Sequence, residues 1–185
     1  MINHSADNER IKRRYFSFLK EAKRQNEATV DAVAEALNRF EVHSKYRDFK
    51  KFHYEQAVAF KNHLAEQRNQ QTGNKLSKAT LHSTLANLKK FFQWLSGQSG
   101  YKSRFHYCDA EYFNISDKDM RVATTRREQK SPTLEQVKHV ISTMPVGTET
   151  ERRNRALIAF TLLTGARDSA IASMKLKEYP VKILM

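Results

Sequence analysis

The chain has 185 residues, which is room for one or two domains with a proper core. Lysine and arginine number 33 against 20 aspartate and glutamate, and the formal charge of +13 favours an anionic partner, nucleic acid ahead of a membrane surface. Cys108, the single cysteine, excludes an internal disulfide and fits a reducing cytosol, the polar stretch Met1 to Arg10 does not read as a signal peptide, and no window nears the roughly 18 apolar residues of a membrane span.

With 5 glycines, 3 prolines and abundant helix formers, the chain reads as mostly α-helical. A first helix is predicted from about Asn8 to Arg24, where Ile11, Tyr15, Phe18 and Ala22 share one face and six basic residues cover much of the rest. A second spans about Thr29 to Phe40, with Val30, Val33, Ala34 and Leu37 inward and Thr29 as its N-cap. A polar, aromatic connection (His43 to Phe52) leads to a third helix, about Tyr54 to Asn69, that buries Ala57, Phe60 and Leu64. Gln70 to Lys75, containing Gly73-Asn74, reads as a loop.

The fourth helix is the clearest element. Ser77 is its N-cap candidate, Leu81, Leu85, Leu88, Phe92 and Leu95 repeat at helical spacing, and Gly97 closes it, with Phe91 and Trp94 widening the apolar stripe. Its other faces carry Lys75, Lys78, Thr80, His82, Lys89 and Lys90. These form either a solvated basic face or a phosphate-binding one. Free amides and the positive dipole end at the N-terminus, beside Lys78 and Thr80, favour phosphate.

His106 to Phe113 has no assignable pattern, and from Asn114 to Lys130 apolar periodicity vanishes while Lys118, Arg121, Arg126, Arg127 and Lys130 accumulate. That stretch reads as a basic linker, either tracking a DNA backbone or simply exposed. Thr133 to Gln136 then fits a capping box for a helix with Leu134, Val137, Ile141 and Met144 on one face, ending at Pro145. Thr148 or Thr150 starts the next helix, which is apolar on nearly every side from Ala156 to Leu163 and is expected to be buried. Gly165 suits a left-handed helix end, so Arg167 is expected on a corner at the edge of a core, either simply solvated or, with its forked donors, holding a phosphate. The expected domains are 1–113, a basic linker over 114–131, and 132–185.

In this order the chain resembles the tyrosine recombinase (phage integrase) family over residues 25–178. Leu163-Thr164-Gly165-Ala166-Arg167 through Ser173-Met174-Lys175-Leu176 is similar to the family's first catalytic box. Ser77-Lys78-Ala79-Thr80-Leu81, with Leu88, Phe91, Phe92 and Trp94, is similar to the signature helix of its core-binding domain. The resemblance implies an all-α fold: a four-helix SAM-like core-binding domain, then a helical N-terminal fragment of the catalytic domain. It also implies site-specific recombination or integration of mobile DNA, in which a tyrosine attacks a DNA phosphate to form a 3′-phosphotyrosyl link. Arg167 takes the place of the first catalytic arginine, which holds non-bridging phosphate oxygens.

The remaining catalytic parts do not match. None of the 7 histidines is followed three places later by arginine, so the family's His-x-x-Arg motif is missing. Tyr179 follows Arg167 too closely to be the family's late nucleophile, Lys182 does not lie on a hairpin, and Ala170 stands where an acidic residue is usual, with Asp168 nearby. The expectation is therefore a truncated recombinase that binds double-stranded DNA without cleaving it, in the cytoplasm on the nucleoid, with other recombinase protomers as further candidate partners. DNA contacts are expected from Lys75, Ser77, Lys78, Thr80, His82, Lys89, Lys90, Arg121, Arg126 and Arg127. No cofactor is expected, and no metal either, because His106 and Cys108 make only two ligands. The alternatives are an enzyme completed by another chain, or a basic helical module for RNA or protein.

Overall fold

Ser5 opens the first helix by accepting a hydrogen bond from the Asn8 N–H, and Asp7 and Glu9 in the first turn complement the dipole. The computed structural model describes residues 5–69, 72–125 and 131–175. They are all-α, with an isolated antiparallel bridge between Arg68 and Lys75. The chain divides into two units, Met1–Arg126 and Arg127–Met185.

In the first unit, α1 (Ala6–Ser17) runs on into a π-turn, Phe18–Ala22, in which the Lys23 N–H reaches back five residues to the Phe18 carbonyl at 3.1 Å. The buried face advances by fours, through Ile11, Tyr15 and Leu19. Phe18 is therefore half-buried at the core edge and Ala22 exposed, where α-helical spacing had placed both inward.

α2 (Glu27–His43) begins earlier than expected because Asn26, not Thr29, is its cap: Asn26 Oδ1 accepts from the Thr29 N–H at 2.9 Å and the Thr29 hydroxyl at 2.6 Å. It buries Val30, Val33, Ala36, Leu37 and Phe40. A short 3₁₀ turn, Phe49–Lys51, capped by Asp48, delivers Phe49 and Phe52 to the core. α3 (Tyr54–Glu66) buries Ala57, Phe60 and Leu64 as the spacing predicts, and stops before Asn69 because Arg68 pairs with Lys75. In the following loop Gly73 is left-handed (φ 67), while Gln70 and Gln71 lie outside the described residues.

α4 (Lys78–Ser96) is capped by Ser77, whose Oγ accepts from the Thr80 N–H at 3.1 Å, and it buries Leu81, Leu85, Leu88, Phe91, Phe92 and Leu95. Phe92 is the hub of the core. Its ring centroid lies 3.9 Å from Phe52 and within 6.0 Å of those of Phe40, Phe49, Phe91, Phe105 and Phe113. The unassigned stretch is a 3₁₀ helix, Tyr107–Phe113, that buries Ala110 and Phe113.

The expected linker contains a helix. α5 (Asp117–Thr124), capped by Ser116, packs on α4, and the first unit accordingly extends past residue 113. Its apolar residues Met120 and Val122 are exposed, so no buried stripe marks it in the sequence. Ile115 packs on the core just before it, and Lys78 on α4 is ion-paired to Asp119.

In the second unit, α6 (Leu134–Thr143) carries the predicted Thr133–Gln136 capping box, and α7 (Glu149–Thr164) a second one between Thr148 and Glu151. Gly165 closes α7 in the left-handed region (φ 62) and α8 (Asp168–Ser173) follows. The expectation of a buried α7 is overturned: no described residue of this unit is buried, and Leu163 is 85% exposed. α7 packs against α6, and the described helices supply too little surface to cover an element apolar on all sides.

Candidate nucleic-acid interface

The N-terminal end of α4 is built by its cap. Ser77 bonds both the Thr80 amide and, at 2.9 Å, the Thr80 hydroxyl, which fixes this end of a 19-residue helix whose dipole is positive there. Lys75 and Lys78 at this end, and Lys89 farther along the helix, are not free. Lys75 lies 2.9 Å from Glu66, Lys78 2.9 Å from Asp119, and Lys89 2.6 Å from Glu111. Lys89 also donates to the Asn114 side chain at 3.1 Å, and Gln93 donates to the other Glu111 oxygen. Hydrogen bonds from these lysines hold the carboxyls of Glu66, Asp119 and Glu111 below their ordinary pKa.

α5 and the residues before it lie over the side of α4 that carries Lys78, His82 and Lys89. His82 is half-buried and lines a cavity of about 280 Å³ with Asn114, Ile115 and Met120. That side was expected to face outward as one basic surface. It is partly occupied instead by the chain's own carboxylates. Lys90 borders this cavity too, exposed and without an ion pair among the described residues.

The α4–α5 packing brings Lys118 and Arg121 into the neighbourhood of the Ser77 cap, through the Lys78–Asp119 pair. Both are exposed, and neither forms an ion pair among the described residues. Arg126 and Arg127 lie outside the described residues, as do Leu176, Tyr179 and Lys182. The sequence reading missed the acidic partners, although Asp117 and Asp119 interrupt the basic run and Glu111 precedes it.

Arg167 belongs to the second unit. It precedes α8 and is exposed, and its guanidinium forms no hydrogen bond or ion pair among the described residues. Thr164 organises the corner: its hydroxyl donates to the Phe160 carbonyl at 2.8 Å and accepts the Ala166 N–H at 3.2 Å. The core edge expected to restrain Arg167 is not formed by the described residues, because α7 beside it is itself exposed.

Among the described residues, no group of three or more His, Cys, Asp or Glu is placed to hold a metal ion, and no helix is long and apolar enough to cross a membrane. Compared with protein-family models, with curated proteins and with solved structures, the chain matches none.

Proposed function

We propose that this chain binds double-stranded DNA through its first unit, as the four-helix SAM-like core-binding domain of a tyrosine recombinase-type protein. The observation that carries the reading is the packing of α5 on α4, which sets exposed Lys118 and Arg121 near a Ser-capped helix N-terminus. Amides, dipole and unpaired cations then converge where a phosphate backbone can lie. The second unit contributes Arg167 as a phosphate-holding residue by resemblance to the first catalytic box. The role proposed for these 185 residues is binding, with Arg167 as a phosphate contact.

A gel-shift titration with a duplex at stepped salt tests this. Each phosphate contact contributes about −0.9 to the log–log salt slope, so Lys118→Glu with Arg121→Glu should weaken binding and shallow the slope by about 2. An unchanged titration overturns the reading, and so does tighter binding to RNA. A covalent adduct with a suicide duplex would assign a nucleophile to this chain and overturn the binding-only role.

A further inference from the structure

We propose that the groove between the π-turn ending α1 and the middle of α4 binds an unpaired strand of DNA, a ligand that rests on the DNA-binding reading above. The groove has a volume of about 530 Å³, within the range of built ligand sites. Asn87, Lys90 and Trp94 follow one another along α4 at helical spacing and line it together. Phe18 stacks on Trp94 with centroids 5.9 Å apart, and Lys23 Nζ sits 5.6 Å over the Phe18 ring. Tyr107 joins the lining while 60% exposed, with no ring partner among the described residues.

Three properties select the occupant. Tyr107 offers an exposed ring face on which any base can stack, beside the half-buried Phe18–Trp94 stack, and such stacking tolerates sequence. Lys23 and Lys90 stand among those rings without carboxylate partners in the described residues, unlike Lys75, Lys78 and Lys89, so they are available to phosphates. Among the described residues no acidic side chain lines the groove, which fits an anionic ligand. A duplex hides its base faces and cannot use the rings; an unpaired strand presents both bases and phosphates to a lining that holds both rings and cations.

Trp94 is the chain's sole tryptophan, so its fluorescence reports this groove directly. Oligothymidylate titrated into the full chain at low salt should quench that emission saturably. Tyr107→Ala, at an exposed position, should weaken the titration by about fivefold to a hundredfold. Lys23→Glu with Lys90→Glu should abolish it while the helical circular dichroism stays unchanged. The proposal is overturned by absent quenching, by equal affinity in Tyr107→Ala, by equal quenching with polyglutamate, which marks an acidic-peptide site, or by tighter binding of oligouridylate, which marks an RNA site. Lys118→Glu with Arg121→Glu separates the two readings. Loss of duplex binding with oligothymidylate quenching intact supports both sites, whereas quenching without any duplex binding in the unmodified chain removes the duplex reading and leaves the groove.

Discussion

Lys12 Nζ lies 2.6 Å from the Glu41 carboxylate in the interior of the first unit, where Glu41 is only 2% exposed. Lys12 also reaches Glu9 at 2.6 Å. The second Glu41 oxygen accepts from the Asn8 amide at 3.3 Å, and that amide also donates to the Arg47 carbonyl at 3.1 Å. The Asn8 side-chain oxygen, Oδ1, accepts the Phe49 N–H at 3.0 Å. One buried polar network thus pins α1, the end of α2 and the turn after it.

Removing the charge of Glu41 leaves Lys12 partly desolvated against Glu9 alone. Glu41→Gln should cost about 3 kcal/mol, the lower end for breaking a buried pair because Glu9 remains. Urea denaturation checks this. A loss within about 0.5 kcal/mol would show that the network does not hold the elements together.

Alkaline pH should erode the first unit. Burial pushes the Tyr15 hydroxyl up from 10.0 to about 12. Burial would lower Lys12, but its hydrogen bonds to Glu41 and Glu9 outweigh this and hold it above its ordinary value. Both folded values are raised, so both contributions are complete below about pH 10 and are lost as pH climbs toward the folded values. For Tyr15 the loss amounts to about 2 kcal/mol, and Tyr15→Phe should flatten the fall in unfolding free energy between pH 10 and about 12. A slope identical in Tyr15→Phe and the unmodified chain would contradict the assignment.

Phe92 is fully buried at the centre of the phenylalanine cluster. Phe92→Ala should cost about 4 kcal/mol, since the surrounding rings cannot all close on the cavity, and Phe92→Leu clearly less. Equal denaturation midpoints for the two variants would mean that the core relaxes around the site.

Leu163 gives the opposite expectation. At 85% exposed, Leu163→Lys should change stability by no more than about 0.5 kcal/mol in thermal unfolding. A loss of several kcal/mol would restore the burial that an all-round apolar helix predicts from sequence.

Local signals proved legible. Ser77, Thr133 and Gly165 act where capping chemistry places them, and the stripe of Leu81, Leu85, Leu88, Phe92 and Leu95 is buried as its period requires. Elements held by tertiary contact were not. α5 has no apolar stripe and depends on packing against α4, and Tyr107–Phe113 is a 3₁₀ segment whose three-residue turn does not match the helical period. The burial of α7 failed for the converse reason: composition records what a helix could bury, while burial requires a surface to receive it. At the candidate site the cations were visible in the sequence, but Glu66, Glu111 and Asp119 become their partners only through folding.

The π-turn at Phe18–Ala22 holds one residue more than an α-turn would, and that surplus sets which way its side chains look. Leu19 is buried and half-buried Phe18 stands beside it, both in the wall of the groove. Excising one residue of the turn would rotate the chain beyond it by about 100° around the helix axis and carry Lys23 away from the Phe18 ring. Chain length within this turn, as much as side-chain identity, sets where the Lys23 ammonium stands over the groove.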